Sequence, residues 1–338
     1  MQTRTWLKYS FLFIVAFALI VFGVTSYQIN RFLQQPLTIQ NNAIFNIHSG
    51  ESVSGVFQRL PIEDDALFTY VAKIYFRLNP AKTHVQAGVY ELLPSDSLAS
   101  VLSRFNQGQT KKVAITLIEG KTWREWYQVL LENPWLQMDL NEGELLSSVN
   151  AVSGWQLSHL EGAFMPDTYH IEAGSKFSTL MMQAHQSLQR FVQRSWEERA
   201  QNLPIDSPYE ALILASIIEK ETGLAEERGH IASVFINRLN LGMRLQTDPT
   251  VIYGIGTEFD GNLTRKHLKT VTPYNTYRIK GLPPTPIAMP SRAAITAALN
   301  PIQSDDLYFV AKGDGSHAFS KTLNEHNEAV RRYQLGIQ

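Results

Sequence analysis

From Tyr9 to Asn30 the chain carries 22 consecutive residues without a formal charge, centred on the run Phe-Leu-Phe-Ile-Val-Ala-Phe-Ala-Leu-Ile-Val-Phe. As a helix this segment extends about 33 Å against a bilayer hydrocarbon core of about 30 Å, long enough to span. Arg4, Lys8 and the N-terminal amine precede it, and only Arg31 follows closely. That modest basic bias puts residues 1–8 in the cytoplasm and the remainder outside it. A cleaved signal peptide is the competing reading, but no Ala-x-Ala arrangement of small residues follows the apolar core, and the core is long. An uncleaved single-pass anchor over residues 9–30 is expected, with a short polar linker over residues 31–42.

The chain's 338 residues leave room for two or three domains beyond the anchor. Net charge is −1, from 30 Lys+Arg against 31 Asp+Glu, so no basic surface points to a nucleic-acid partner. The absence of cysteine removes disulfides, thiolate nucleophiles and Cys-ligated zinc together. The nine histidines include no His-Glu-x-x-His spacing, and the Glu325-His326 pair lacks a third ligand. Gly-x-Ser-x-Gly and phosphate-binding glycine loops are also missing. No metal and no cofactor are expected.

A pattern recurs three times beyond the linker: an apolar extended stretch, a Gly/Ser turn, then an amphipathic helix opened by Ser or Thr. The copies begin at Ile47, Leu92 and Ile118, and place Ser52, Ser97 and Thr122 as equivalent N-caps. Thr122 with Glu125 fits a capping box. Small β/α units are therefore expected through residue 132. Residues 133–207 read as mainly helical, broken by Glu161-Gly-Ala-Phe-Met-Pro-Asp-Thr-Tyr-His-Ile, an ordered loop leading into a strand, with Asp167 fixing the loop. Residues 177–199 read as a long amphipathic helix.

The helical run Leu212-Ile-Leu-Ala-Ser-Ile-Ile-Glu-Lys-Glu sets one carboxylate in its own apolar face. At about 100° per residue, Ile213, Leu214, Ile217 and Ile218 cluster on one side, and Glu221 projects within roughly 10° of their centre. Glu219 points almost the opposite way and is expected to be solvated. A carboxyl drawn into a partly apolar cleft loses hydration of its charged form, which raises its pKa toward the range of a general acid near neutrality. A solvated last turn screened by Lys220 is the bland reading of the same residues.

Downstream, residues 226–241 continue helical, and the texture then changes. Met243-Arg-Leu-Gln-Thr-Asp-Pro-Thr-Val-Ile-Tyr-Gly, Thr272-Pro-Tyr-Asn-Thr-Tyr and Gly281-Leu-Pro-Pro-Thr-Pro-Ile bring prolines beside Tyr, Asn, Gln and Asp, side chains suited to sugar hydroxyls and sugar faces. Gln246, Asp248, Tyr253, Tyr274, Asn275 and Tyr277 are the candidate substrate-binding residues. Loop stabilisation is the ordinary alternative for each, as is a turn role for Asp248. Arg228 and Arg238 are candidates to order a carboxylate or bind anionic groups, with helix-surface placement as the default. Residues 307–320 read as a β-hairpin around Gly313-Asp-Gly, and a final helix follows from Thr322 to Tyr333.

Ala215-Ser-Ile-Ile-Glu-Lys-Glu-Thr, Ala232-Ser-Val-Phe-Ile-Asn-Arg-Leu, the Met243–Gly254 block, Tyr274-Asn-Thr-Tyr and Gly281-Leu-Pro-Pro, in this order behind an anchor, resemble the endolytic murein transglycosylases of the YceG-like family. The resemblance is strong over residues 161–319. It implies an α+β chain: an N-terminal transmembrane helix, LysM-like small β/α subdomains over residues 43–132, and a mixed α+β lytic transglycosylase domain over residues 133–338. It further implies a bacterial inner-membrane enzyme facing the periplasm. Such an enzyme cuts nascent peptidoglycan glycan strands between N-acetylmuramic acid and N-acetylglucosamine, leaves 1,6-anhydro ends, and works near peptidoglycan synthases so that cleavage ends strand elongation. The family's catalytic Glu corresponds to Glu221, the residue that face geometry also selects. The turn Ser49-Gly-Glu-Ser-Val-Ser-Gly is similar to the strand-to-helix turn of LysM modules, which bind amino-sugar polymers. Two other readings stand beside this one: a muramidase that hydrolyses the same bond with Asp248 assisting water, and a non-enzymatic peptidoglycan-binding scaffold.

Overall fold

The computed structural model describes residues 2–63, 66–82 and 84–336. Its first element is α1 (Gln2–Leu33). Within it Trp6–Leu33 has the length and apolarity to cross a membrane, with a mean hydropathy of 2.3. The helix runs past the uncharged stretch because its last turns pack onto protein: Phe32 is fully buried.

The chain divides into two compact units, residues 1–113 with 171–174, and residues 114–170 with 175–338. In the first unit, β1 (Ala43–Ile47), α2 (Val53–Arg59), α3 (Ala66–Leu78) and β2 (Gly88–Leu92) follow in order, with β1 and β2 antiparallel from Ala43↔Leu92 to Ile47↔Gly88. α4 (Leu98–Gln107) closes a core built on Phe32, Val56, Tyr90, Leu98 and Phe105. The linker is tied down rather than loose. Leu37 is buried, Leu37 N–H donates to Asp96 O, and Leu98 N–H donates to Gln35 O.

All three expected β/α turns form. Ser52 accepts from Gly55 N–H, Ser97 accepts from Ser100 N–H, and Thr122 makes a complete capping box with Glu125 at the head of α5 (Trp123–Leu131). Each cap satisfies a backbone donor that the helix start would leave orphaned. Before α5 runs β3 (Lys112–Leu117), which pairs with β5 (Asp167–Glu172); between α5 and β5 lie β4 (Leu136–Gln137) and α6 (Glu142–Ser153). β6 (Ser175–Lys176) pairs parallel to β4 and leads into α7 (Phe177–Glu197).

The second unit is organised around α8 (Pro208–Glu221), with α9 (Arg228–Asn240), α10 (Asp248–Ile255), α11 (Arg265–Lys269) and α12 (Arg292–Leu299) after it. α8 packs on α7, α9, α10 and α12, and every residue from Ala211 to Ile218 is buried. The antiparallel hairpin β7 (Tyr308–Ala311) and β8 (His317–Ser320) and the helix α13 (Leu323–Tyr333) complete it. The architecture is the α+β arrangement expected. One expectation fails: because α8 is enclosed, the face carrying Glu219 is not solvated. The Glu219 side chain is 6% exposed and accepts from both the backbone N–H and the hydroxyl of Ser291, the N-cap of α12.

Candidate active site

α8 begins with Ser207 as N-cap and Pro208 at the first turn, where a missing N–H costs nothing. It ends at Glu221, because Thr222 turns extended. A carboxylate on the last residue of a helix meets the negative end of the helix dipole, which disfavours its charged form. Glu221 is half-buried, and burial chiefly pushes its pKa up to about 7, with the Asp248 charge adding to the rise. The Thr247 hydroxyl, His317 and Arg238 pull the other way. The group therefore stands where it both holds and releases a proton near neutral pH.

Thr247 occupies the N-cap of α10 but does not cap it. Its hydroxyl donates to Glu221 Oε1 instead. Two further threonines hold it there. Thr247 N–H donates to Thr276 Oγ1 at 3.1 Å, Thr250 Oγ1 donates to Thr247 O at 2.8 Å, and Thr250 and Thr276 share a hydroxyl contact at 2.8 Å. All three are buried. The preceding Gln246 has φ +51°, a left-handed backbone uncommon outside glycine. Such strain persists only where the surroundings impose it; here Gln246 N–H is held by Thr276 O.

Asp248 is exposed, and Tyr277 Oη donates to its Oδ1 at 2.7 Å. Burial and that carboxylate keep the Tyr277 phenol firmly protonated. On the other flank Glu227 accepts from His317 twice, from the backbone N–H at 2.9 Å and from Nδ1 at 2.6 Å. A carboxylate on Nδ1 fixes the imidazole tautomer and the ring's orientation. Arg238 is buried, with Nε on Leu307 O at 2.6 Å and one terminal nitrogen on Leu245 O at 2.7 Å, so it staples the Gln246–Thr247 turn to the hairpin. Arg228 instead lies 4.0 Å from Glu219.

A second buried acid stands apart from these. Glu161 is 4% exposed and accepts from Trp123 N–H at 2.9 Å and from Tyr253 Oη at 3.3 Å. Burial pushes its pKa up to about 7 against these hydrogen bonds. Gly162 beside it has φ +70°, and a Cβ there would meet the Pro286 ring at 2.4 Å, so the turn admits only glycine. The Tyr253 and Tyr274 rings meet edge to face at 4.9 Å, and Tyr274 Oη bonds Thr285 Oγ1 at 2.8 Å.

The six candidate sugar contacts thus separate. Gln246, Asp248 and Tyr277 gather about the Glu221–Thr247 pair. Tyr253 and Tyr274 belong to the Glu161 network. Asn275 is 1% exposed, with its amide nitrogen on the carbonyls of His267, Leu268 and Thr270 and its oxygen on Tyr277 N–H, so it braces the loop. Asp167 pairs with Arg292 at 3.3 Å. Sequence reasoning overlooked Thr247, Glu161 and the Glu227–His317 pair. Only Glu161 carried a local signal, as a lone charge beside the apolar run Ala163-Phe-Met. A cavity of about 540 Å³ lined by Trp155, Arg190 and Arg194 shares no residue with either cluster. Among the described residues no group of three or more His, Asp or Glu is placed to hold a metal ion.

The sequence model describing the YceG-like family matches residues 45–332. An endolytic murein transglycosylase of Bacillus subtilis is 33% identical over 305 residues, covering 85% of this chain and 84% of that protein. A protein of the same description from Streptococcus pneumoniae is 27% identical and covers 74% of this chain and 51% of its own length. The crystal structure of a yceG-like protein from Listeria monocytogenes superposes with a TM-score of 0.56 at 30% identity, covering 86% of this chain and 99% of that one.

Proposed function

Because the chain belongs to the YceG-like family, we propose that it is a peptidoglycan lytic transglycosylase in which Glu221 serves first as general acid and then as general base. The observation that carries this reading is the Glu221–Thr247 pair: a half-buried carboxyl with its pKa pushed up to about 7, fixed by a hydroxyl withdrawn from its own helix.

In the proposed reaction, protonated Glu221 donates to the glycosidic oxygen between N-acetylmuramic acid and N-acetylglucosamine, and an oxocarbenium-like transition state develops at C1. Glu221, now a carboxylate, takes the proton of the muramic acid C6 hydroxyl as that oxygen closes on C1. The bond to the leaving sugar breaks, a 1,6-anhydro ring forms, and the proton balance returns to its start. The Thr247 hydroxyl and the nearby Arg238 and His317 favour the charged form, while burial and Asp248 favour the neutral form. That opposition suits a group which changes charge twice in one turnover. Gln246, Asp248 and Tyr277 are proposed to hold the sugar, with Tyr253 and Tyr274 shaping the site behind them.

The substrate is proposed to be nascent glycan strands beside the inner membrane and its peptidoglycan synthases, with α1 as the anchor, residues 1–8 cytoplasmic, the Glu221 domain periplasmic, and cleavage terminating elongation. Hydrolysis is the second reading, favoured by the electrostatic coupling of Asp248 to Glu221; it would place water, not the C6 hydroxyl, at C1. Mass spectrometry of glycan digested by the native chain and by Glu221→Gln tests both. Anhydro ends that vanish in the variant support the lytic reading. Unchanged cleavage by the variant would refute a role for Glu221.

A further inference from the structure

α3 presents two unlike faces. Phe68, Val71, Ala72 and Tyr75 are each 5% exposed or less. Phe68 and Tyr75 pack their rings on Phe32 of α1 at 6.1 Å each, and the Arg31 guanidinium lies 5.5 Å from the Phe68 ring centroid. α3 is thus clamped onto the last turns of the anchor helix, where α1 passes from exposed apolar side chains such as Phe22 and Tyr27 into the folded unit. A second face, centred about 110° around the helix from the first, carries Tyr70, Ile74 and Leu78, 66%, 44% and 65% exposed. Spaced at i, i+4 and i+8, they form one stripe about 80° wide. Lys73 and Arg77 lie along one edge of that stripe, Lys73 Nζ lies 5.6 Å from the Tyr70 ring centroid, and α3 contains no acid. Glu63, Asp64 and Asp65 precede the helix in sequence, so its basic end is the C-terminal one, continued by Lys82.

We propose that the outer face of α3 is a membrane-docking surface, seated at the boundary between headgroups and acyl chains of the bilayer that α1 enters. The inference rests on the reading of α1 as a membrane anchor. Three observations select lipid as the occupant. The stripe belongs to a helix packed directly on the anchor's exit, so the apolar surface of α1 has its nearest continuation there. A stripe of Tyr, Ile and Leu bordered on one side by Lys and Arg is the composition of an interfacial helix, whose apolar side reaches about 5–10 Å below the headgroups. Its cations match the anionic headgroups of a bacterial inner leaflet or outer leaflet alike. Docking would hold the first unit at the membrane surface by two attachments and fix its rotation about α1, which a single spanning helix leaves free.

Because the chain has no cysteine, single cysteines accept an environment-sensitive dye at one site each. The full-length chain, reconstituted in vesicles of phosphatidylethanolamine and phosphatidylglycerol, is labelled at Phe17→Cys, Ile74→Cys, Leu78→Cys or Thr69→Cys. Thr69 is exposed and about 140° around the helix from Ile74. Deep nitroxide lipids should quench the dye at position 17. Headgroup-proximal nitroxides should quench it at 74 and 78 at least about twofold more than at 69. Replacing phosphatidylglycerol by phosphatidylcholine, or introducing Lys73→Glu with Arg77→Glu, should weaken the quenching at 74. Equal quenching at 69 and 74, with position 17 quenched, overturns the docking face while leaving the anchor intact. Position 17 unquenched by any lipid overturns the anchor reading, and the docking proposal with it. Concentration-dependent self-quenching at 74 without lipid quenching also overturns the proposal, in favour of a second copy of the chain as the occupant.

Discussion

Thr247 stands at the N-cap of α10, yet its hydroxyl is bonded to Glu221 rather than to its own helix. Ser52, Ser97, Thr122, Ser207, Thr264, Ser291 and Thr322 all cap in the ordinary way. Withholding a cap costs about 1 kcal/mol of helix stability, so the exchange marks a position shaped by the carboxyl it serves.

Thr247→Val removes a hydrogen bond that favours the Glu221 carboxylate. The folded pKa of Glu221 should then rise further above about 7, and the alkaline limb of the rate profile, where the general acid is lost, should move to higher pH. Stability should change by less than about 1 kcal/mol, since no cap is lost. Thr247→Ser should keep the native profile. A Val variant with an unmoved limb would separate Thr247 from the acid.

Asp248→Asn takes away a charge that raises the Glu221 pKa. Its alkaline limb should shift to lower pH, opposite to Thr247→Val. Product ends should remain anhydro if Asp248 only tunes and holds; under the hydrolytic reading, reducing ends would disappear along with the activity.

Glu219→Gln is not the silent control that an opposite-face position suggests. Glu219 accepts two hydrogen bonds from Ser291 at the head of α12, and an amide there turns one acceptor into a donor. Destabilisation of about 1–3 kcal/mol is expected in denaturant titrations, with kcat little altered. Lys220, exposed on the same turn, is the better silent site.

Glu161 gives the chain a pH-dependent stability. Its folded pKa of about 7 exceeds the ordinary 4.5, so between those values the native state holds a proton that the unfolded chain has released. Stability should therefore fall as pH rises from about 4.5 to about 7, by at most about 3 kcal/mol from this group. Glu161→Gln, which keeps the shape without the charge, should flatten that slope in thermal melts between pH 4.5 and 8. A slope as steep as the native one would assign it elsewhere, with Glu221 the next candidate.

Much of this was legible along the chain because the signals were local. Capping residues act within four positions, a long apolar helix over residues 9–30 needs only composition, and the Gly313-Asp-Gly turn sets its own hairpin. Glu221 was legible for the same reason, as a charge out of place in a 3.6-residue period. Glu219 misled because that reasoning grants a helix one wet face, and α8, enclosed by its neighbours, leaves only Lys220 exposed. The His317–Glu227 and Tyr253–Glu161 pairs join residues 90 and 92 positions apart, and no periodicity reports such a meeting. Asn275 has the composition of a sugar ligand but lies where three loop carbonyls need a donor.

The central proposal, that one carboxyl delivers a proton and retrieves another without water entering the bond, is tested most directly by digesting uncrosslinked glycan in heavy-oxygen water and weighing the new ends. The expected result is anhydro termini carrying no heavy oxygen in the native chain, and loss of cleavage by roughly 10²–10⁴-fold in Glu221→Gln. Reducing termini carrying one heavy oxygen would contradict it.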